Sequence, residues 1–232
     1  MPELTASDIR DLVGNSPLML EIGANDGCDT VKFLEVMPGA TIHCFEPDPR
    51  AIKRWKKNVK CDRAILHECA VGNLGQKVTF HGSSGVAPRH MVPSPPPSCH
   101  LLEEWDLSGS MLAPSRHLSY SPWVTFPRER EYEVGCVCLD TWAEGALSKY
   151  PFTFTVDFIW CDTQGAEGLV VQGGIETLKR TRWFYTETYN DPLYAGQPTT
   201  NELKNLVAKL LPDYEYVRQY NDNILFRNKA LT

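Results

Sequence analysis

Residues 18–30, LMLEIGANDGCDT, place a short apolar segment directly before a turn that contains two glycines. The first five residues have the length and composition of a buried strand, and residues 30–37 follow as a short helix that Pro38 ends. In α/β proteins a strand, a glycine-rich turn and a helix form the first unit of a sheet, and the turn is a common ligand site. The stretch therefore predicts a strand at residues 18–22 and a binding turn at residues 23–27.

The rest of the chain alternates between apolar segments and helix-like segments, which is typical of a mostly parallel sheet with helices on both faces. Strands are predicted at residues 41–45, 64–70, 77–81, 132–139, 156–162 and 182–189, and a closing hairpin at residues 214–219 and 223–227. Helices are predicted at residues 49–58, 168–179 and 200–211, and a short helix begins with Asp140 as its N-cap. We therefore predict an α/β fold with a doubly wound sheet.

A single domain spans residues 1–232 in this interpretation, because 42% hydrophobic residues in a chain of this length can bury one full core. Residues 82–130 interrupt the alternation, since they are rich in Pro and Ser and have little periodicity. A long irregular segment inside a compact domain is usually functional or mobile. We expect this segment to be a lid inserted in the domain. The sequence does not indicate an oligomeric state.

Charge and hydropathy exclude several classes of protein. The 29 acidic residues outnumber the 23 Lys and Arg residues, and the net charge of −6 argues against nucleic acid as the main partner. No segment approaches the roughly 18 consecutive apolar residues of a membrane span. The first residues also lack the basic start and the apolar run of a signal peptide. The expectation is a soluble, cytoplasmic protein.

The eight cysteines predict reduced thiols rather than a disulfide scaffold, because the chain is long and most cysteines lie in apolar strand-like segments. No C-x-x-C pair or His/Cys cluster has zinc-finger spacing, so a structural zinc is not expected. The cysteines in strand-like segments are Cys44, Cys69, Cys136, Cys138 and Cys161.

Polar or glycine-rich residues follow four of the predicted strands at the point where each strand ends. In an open α/β sheet, ligands bind beyond the carboxyl ends of the strands, so these residues are candidates for one common site. They are Gly23, Asn25, Asp26 and Gly27 after the first strand, Glu46 and Pro47 after the second, Ala70 and Val71 at the end of the third, and Asp162 and Gln164 after the central strand.

The opening turn favours a nucleoside ligand without phosphates. A dinucleotide fingerprint requires a second glycine where this chain has Asn25, and Asp26 would bring negative charge beside a pyrophosphate. Glu46 follows 23 positions after Gly23 and has the position of a residue that accepts ribose hydroxyls. A nucleoside that carries a small zwitterion, as in S-adenosylmethionine, satisfies these features, with Asp162 near the ammonium group. The alternatives are an NAD(P)-dependent oxidoreductase and a non-catalytic nucleoside-binding module.

Five motifs together resemble the FkbM family of S-adenosylmethionine-dependent methyltransferases. They are LEIGANDGCDT, FEPDP, CAVGN, CLDTW and FIWCDTQGAEGLVVQGG, and the resemblance covers most of residues 18–228. It implies a class I methyltransferase with a Rossmann-like, seven-stranded sheet. It also implies S-adenosylmethionine as the cofactor and a hydroxyl of a sugar, glycan or polyketide-type small molecule as the methyl acceptor.

The resemblance further implies a role for individual residues. Glu46 and the adjacent Pro47 would meet the ribose, and Ala70 and Val71 would flank the adenine. Asp162, Gln164 and Glu167 match the family pattern D-x-(E/Q)-G-x-E. The segment around Ser110 is similar to a serine-containing stretch of relatives. The residues that would line the methionine part are Glu21, Gly23, Asn25, Asp26 and Gly27.

Asp162 and Glu187 are the candidate catalytic residues, because each lies at a strand end beside the expected methyl group and an alcohol must lose its proton. A histidine of the irregular segment is the alternative base, and the candidates are His81, His90, His100 and His117. A divalent metal held by Asp162, Glu187 and Asp191 is a further alternative, but the prediction is a site without metal. The sequence does not identify the acceptor.

Overall fold

The computed structural model describes residues 3–88, 104–147 and 154–232. Ten strands occur in these ranges: β1 (Leu18–Ile22), β2 (Thr41–Phe45), β3 (Ala64–His67), β4 (Ala70–Gly72), β5 (Lys77–His81), β6 (Glu131–Cys138), β7 (Val156–Cys161), β8 (Thr181–Glu187), β9 (Tyr214–Tyr220) and β10 (Asn223–Asn228). The helices are α1 (Ala6–Val13), α2 (Cys28–Val36), α3 (Pro49–Asn58), α4 (His117–Tyr120), α5 (Leu139–Ala146), α6 (Glu167–Gly173), α7 (Ile175–Lys179) and α8 (Thr200–Leu210). Arg128–Arg130 forms a short 3-10 turn.

Seven strands form the main sheet in the order β3-β2-β1-β7-β8-β10-β9. The first five are parallel, and β10 is antiparallel to both of its neighbours. The predicted α/β fold with a seven-stranded sheet is thus confirmed. The strand order reverses between β1 and β7, since the chain first extends the sheet on one side of β1 and later on the other. Such a switch point opens a crevice at the carboxyl ends of the two strands.

Helices cover both faces of the sheet, which explains why the central strands are buried on both sides. On one face Ile22 and Ile159 belong to a core cluster that includes Val170 of α6. On the other face Met19 packs in a second cluster with Phe33 of α2. Alternate residues of β1 therefore enter different cores, as the pleat of a strand requires.

The helices begin where the sequence supplies capping groups. Thr5 forms a capping box with Asp8 at the start of α1, and Thr199 forms another with Glu202 at the start of α8. Asp48 accepts a hydrogen bond from the Arg50 amide at the start of α3. These side chains satisfy amide groups that have no partner within the helix.

Two predicted elements are divided in the structure. The strand predicted at residues 64–70 is divided, because β3 ends at a turn in which the Cys69 amide donates to the His67 carbonyl at 2.9 Å. Residues 70–72 then form β4 in a second, three-stranded sheet, in the order β4-β6-β5. The helix predicted at residues 168–179 is two helices, α6 and α7, with Gly174 between them.

Asp140 does not cap its own helix, which begins at Leu139 with Cys138 as its N-cap. Its carboxylate instead accepts hydrogen bonds from the amides of Glu176 and Thr177 in the first turn of α7, at 3.0 and 2.7 Å. The N-cap preference of aspartate was therefore assigned to the wrong helix.

The described part of the predicted lid is irregular but anchored to the domain. Ion pairs join Glu104 to Arg50 and Arg130, and Asp106 to Arg54 of α3. Isolated bridges pair Ser84 with Thr125 and His81 with Ser110. Residues 89–103 of the predicted lid lie outside the described residues.

In the ranges that the structure describes, no helix has the length and apolarity needed to cross a bilayer. The five cysteines of the strand-like segments are free thiols, as predicted, and Cys44, Cys136 and Cys161 are buried. Cys28, at the start of α2, is disulfide-bonded, so the prediction of reduced thiols is wrong for this cysteine.

Candidate active site

A cavity of about 460 Å³ lies at the carboxyl edge of the main sheet, where β1 and β7 diverge. It brings together most of the residues that the sequence placed in one site. Those that line it are Gly23, Asn25, Asp26, Glu46, Pro47, Ala70, Val71, Asp162, Gln164 and Glu187. Glu21 and Gly27 are not among its lining residues.

Glu21 lies beneath the opening turn instead of facing the cavity. It shares a strand face with Met19, so its side chain points toward α2, where its Oε2 accepts hydrogen bonds from Thr30 Oγ1 at 2.5 Å and from Cys44 Sγ at 3.4 Å. Burial raises the pKa of Glu21 to about 8. The structure thus corrects the expectation that this side chain lines the ligand, and gives it a place in the support of the turn.

Gly27 is the N-cap of α2 and has a φ of +82°, which favours glycine. A Cβ atom at this position would lie 2.5 Å from Val59 Cγ2 and 2.8 Å from Trp55 Cδ1. Close packing against α3 and the segment after it therefore explains this glycine, rather than the ligand contact that was expected.

Gly23 lies where the end of β1 approaches the residue after β7 closely. Its φ is +92°, and a Cβ atom would lie 1.8 Å from the Asp162 carbonyl oxygen. The Asp162 amide donates to the Ile22 carbonyl at 2.8 Å, and the Gly23 amide donates to the Phe45 carbonyl at 2.9 Å. The turn is therefore held by main-chain bonds from both neighbouring strands.

The Glu46 carboxylate is held in place by the backbone. Its Oε2 accepts from the Asn25 amide at 2.8 Å and its Oε1 accepts from the Asp48 amide at 2.7 Å. Burial raises the pKa of Glu46 to about 8, and the negative charges of Asp48 and Asp106 act in the same direction. These bonds orient two acceptor oxygens at the wall of the cavity, which is the arrangement that vicinal hydroxyls of a ribose require.

Side chains supply most of the hydrogen bonds that organise the carboxyl groups at the ends of β7 and β8, and the Gln164 backbone adds one to Asp162. Gln164 Nε2 donates to Asp162 Oδ1 at 2.7 Å and to Glu187 Oε2 at 2.9 Å, and the Tyr189 hydroxyl donates to Glu187 Oε1 at 2.8 Å. Burial raises the pKa of Glu187 well above its usual range, and the charge of Asp162 adds to this effect. Burial also raises the pKa of Asp162.

Glu167 shapes the turn that carries Gln164. Its Oε1 accepts from the amides of Thr163 and Gly165 at 3.0 and 3.1 Å. Gln164 and Gly165 both have positive φ, at +52° and +96°. Burial raises the pKa of Glu167 to about 7. The spacing D-x-Q-G-x-E therefore places one carboxylate at the cavity and uses the other to hold the turn.

Carboxylate oxygens of Asp162, Glu167 and Glu187 lie within 4.8 Å of one another, which is compatible with a cation. Hydrogen-bond donors already occupy this space, because the Gln164 amide lies between the oxygens of Asp162 and Glu187. Asp191, the third ligand of the metal alternative, is exposed and lies 3.7 Å from Arg116. The described residues thus do not assemble the metal site considered from the sequence.

Apart from His117, the lid contributes cavity residues that the sequence did not identify, because its segment has no periodicity to indicate which side chains point inward. The Tyr194 hydroxyl lies 2.8 Å from the Ser108 carbonyl and 3.1 Å from Gln164 Oε1, so it joins the lid to the turn after β7. The lid residues that line the cavity include Trp105, Asp106, Leu107, Ser108, Gly109, Met111, His117 and Ser121.

Of the histidines considered as a base, His117 lines the cavity. Burial lowers its pKa, and an interaction with the Leu193 backbone opposes this effect. His81 lies 3.3 Å from Glu131 and is not a lining residue. His90 and His100 lie outside the described residues.

Comparisons with known proteins agree with this geometry. The model of the methyltransferase FkbM domain matches residues 21–220. The 2-O-methyltransferase NoeI of Sinorhizobium fredii (strain NBRC 101917 / NGR234) is 38% identical over 220 residues, which cover 93% of this chain and 81% of that protein.

Solved structures overlay on the chain at low similarity. The METTL16 MTase domain is 13% identical, with a TM-score of 0.47, 95% of this chain covered and 64% of that chain. The Burkholderia thailandensis 1,6-didemethyltoxoflavin-N1-methyltransferase, solved with S-adenosylhomocysteine bound, is 14% identical, with a TM-score of 0.45, 96% of this chain covered and 76% of that chain. The family match and the curated relative confirm the resemblance found in the sequence. The chain belongs to the FkbM family of methyltransferases, and its cofactor is S-adenosylmethionine.

Proposed function

We propose that the protein transfers a methyl group from S-adenosylmethionine to a hydroxyl oxygen of a carbohydrate or a similar polyol. The observation that carries this proposal is one continuous cavity that joins Glu46 and the glycine turn to Asp162 and Glu187. The name of the relative NoeI, a 2-O-methyltransferase, supports oxygen as the acceptor atom. The net charge of −6 favours a carbohydrate over a nucleic acid.

The cofactor would lie along the ends of β1 and β2. Glu46, beside Pro47, would accept hydrogen bonds from the ribose, and Ala70 and Val71 would flank the adenine. The methionine part would lie against the turn at residues 23–26, with the Asp162 carboxylate near its ammonium group. When bound, the sulfonium supplies an activated methyl group, and holding the acceptor in line with it captures much of the acceleration.

Asp162 is the better candidate for the base that removes the acceptor proton. Both oxygens of Glu187 accept hydrogen bonds, from Gln164 and Tyr189. Burial raises the pKa of both carboxyl groups; the charge of Asp162 adds to this effect at Glu187, whereas hydrogen bonding to Gln164 and Glu187 opposes it at Asp162. Asp162 is therefore the better proton acceptor of the pair.

His117 is a second candidate base, because its ring lines the cavity. Burial lowers its pKa, so the ring is neutral at pH 7 and able to accept a proton.

The test begins with calorimetric titration of S-adenosylhomocysteine into the purified protein, with NAD as the control ligand. The protein is then incubated with S-adenosylmethionine and carbohydrates that differ in their free hydroxyls, and mass spectrometry detects the added methyl group. We expect binding of S-adenosylhomocysteine but not of NAD, and methylation of at least one carbohydrate. Binding without methylation of any acceptor would favour the non-catalytic module.

Variants separate the two candidate bases. We expect Asp162→Asn to lower turnover by about 10² to 10⁴, the usual contribution of a positioned base, and His117→Phe to lower it less than tenfold. Affinity for S-adenosylhomocysteine is measured in parallel, because Asp162 is also placed near the ammonium group. A reversed order of the two effects on turnover would assign the proton transfer to His117.

A further inference from the structure

The lid residue Asp106 has a buried carboxylate at the wall of the cavity. Its side chain is 2% exposed, and its Oδ2 accepts a hydrogen bond from Arg54 of α3. Its Oδ1 is buried and has no hydrogen-bond partner among the described residues. A buried carboxylate oxygen without a partner is costly, so this oxygen indicates a donor that the described residues do not supply there.

Asp106 lies at the same end of the cavity as Glu46, because its partner Arg54 reaches Asn25, whose amide donates to Glu46 at 2.8 Å. Arg54 lies near the same end of the cavity, since its Nη2 is also 3.5 Å from Asn25 Oδ1 in the opening turn. The other charged groups that act on Asp106 are Asp48, which raises its pKa, and Arg50, which lowers it. One cation of α3 therefore connects the lid carboxylate to the turn that was predicted to bind the cofactor.

We propose that Asp106 Oδ1 accepts a hydrogen bond from the nucleoside half of the cofactor, either from a ribose hydroxyl or from the adenine amino group. The lid is then part of the cofactor site and not merely a cover for the acceptor. This inference rests on the cofactor placement given in the proposed function. The Arg54 ion pair holds the carboxylate in position, so that the oxygen is ready before the nucleoside arrives.

Calorimetric titrations of the full chain test the inference. The ligands are S-adenosylhomocysteine, its 2′-deoxy and 3′-deoxy analogues, and an analogue with a dimethylated adenine amino group. We expect Asp106→Ala to bind S-adenosylhomocysteine roughly tenfold or more weakly than the wild type, as expected for a hydrogen bond to a charged acceptor. The analogue that lacks the group donating to Asp106 Oδ1 should bind the wild type and Asp106→Ala with affinities that differ less than about threefold.

Glu104→Ala is the matched control, because Glu104 is another lid carboxylate that forms ion pairs with Arg50 and Arg130 but does not line the cavity. It should leave the affinity for S-adenosylhomocysteine nearly unchanged. An equal loss in both variants, or a loss in Asp106→Ala that is the same for every ligand, would overturn the inference in favour of simple anchoring of the lid.

A crystal structure of the wild-type complex with S-adenosylhomocysteine provides a measurement that does not depend on a variant folding. A nucleoside donor within about 3.2 Å of Asp106 Oδ1 supports the inference, and a water molecule in that place overturns it. Normal binding to Asp106→Ala would overturn the inference alone. Absence of binding to the wild type would overturn the proposed function and this inference with it.

Discussion

The two ends of the cavity hold their carboxyl groups in different ways. At the ends of β1 and β2, Glu46 accepts two hydrogen bonds from backbone amides. At the ends of β7 and β8, Asp162 and Glu187 are bound mainly by the side chains of Gln164 and Tyr189, and the Gln164 backbone adds one bond to Asp162. Backbone donors come with the fold itself, whereas side-chain donors can be exchanged without changing it.

This difference suits two different tasks, binding of the cofactor and binding of the acceptor. A backbone-held carboxylate suits a ligand that is the same in every reaction cycle, which is the cofactor. A network of side chains, linked through Tyr194 to the lid, suits a partner whose shape depends on the lid. The following substitutions test how far the two ends behave independently.

Gly23→Ala should have the largest effect, because the new methyl group would lie 1.8 Å from the Asp162 carbonyl oxygen at a residue with φ +92°. We expect the free energy of unfolding to fall by at least about 3 kcal/mol, measured by urea denaturation. The control is Gly75→Ala, where a methyl group would meet no atom within 4 Å. Equal stability of the two variants would contradict the close approach of β1 and β7.

Glu46→Ala should weaken binding of S-adenosylhomocysteine by roughly 100-fold, because it removes the predicted ribose acceptor and leaves the Asn25 and Asp48 amides without their partner. Calorimetry measures the affinity. Glu68→Ala, which removes an exposed carboxylate paired with Lys56, serves as the control. A loss below about threefold would show that the backbone-held end does not bind the cofactor.

Tyr194→Phe should lower the free energy of unfolding by about 2 kcal/mol, since it removes a buried hydroxyl between Ser108 and Gln164. Limited proteolysis should then cut the lid faster, while affinity for S-adenosylhomocysteine changes less than about threefold. Tyr120→Phe, at an exposed tyrosine, is the control. A large loss of cofactor affinity would mean that the two ends are coupled.

Glu21→Gln should have the smallest effect, and its effect on the free energy of unfolding should depend on pH. The pKa of Glu21 is raised from 4.5 to about 8, so its contribution to stability is fully present below the unfolded value and is lost as the pH rises through the folded value. Between about pH 5 and pH 8, the free energy of unfolding of the wild type should therefore fall by at least about 1 kcal/mol relative to that of the variant. Chemical denaturation at several pH values measures this difference, and a constant difference would contradict it.

The sequence predicted the elements whose signals are local. Three strands have the predicted limits, because each is a short segment bounded by turn residues. They are Leu18–Ile22, Thr41–Phe45 and Lys77–His81. The strand predicted at residues 64–70 was too long, because the turn at Cys69 depends on the second sheet that receives β4.

The sequence predicted those residues of the candidate site that lie near the ends of strands. Glu21 and Glu46 are both acidic residues near a strand end, and the pleat decides that one faces α2 and the other the cavity. Because Glu21 and Met19 are two positions apart on one strand, they share a face, and this pattern could have shown that Glu21 does not face the cavity. The lid residues could not be predicted, because contacts such as Asp106 with Arg54 join positions that are far apart in the chain.

The turn at Cys69 also affects how the molecule unfolds. Because the chain leaves the main sheet there, Ala70 and Val71 line the cavity from the second sheet, while Glu46 and Asp162 line it from the first. A nucleoside bound in this seam would touch both sheets and would stabilise each only while the other is intact. Occupancy of the cavity should therefore make the two sheets melt in a single, sharper cooperative transition.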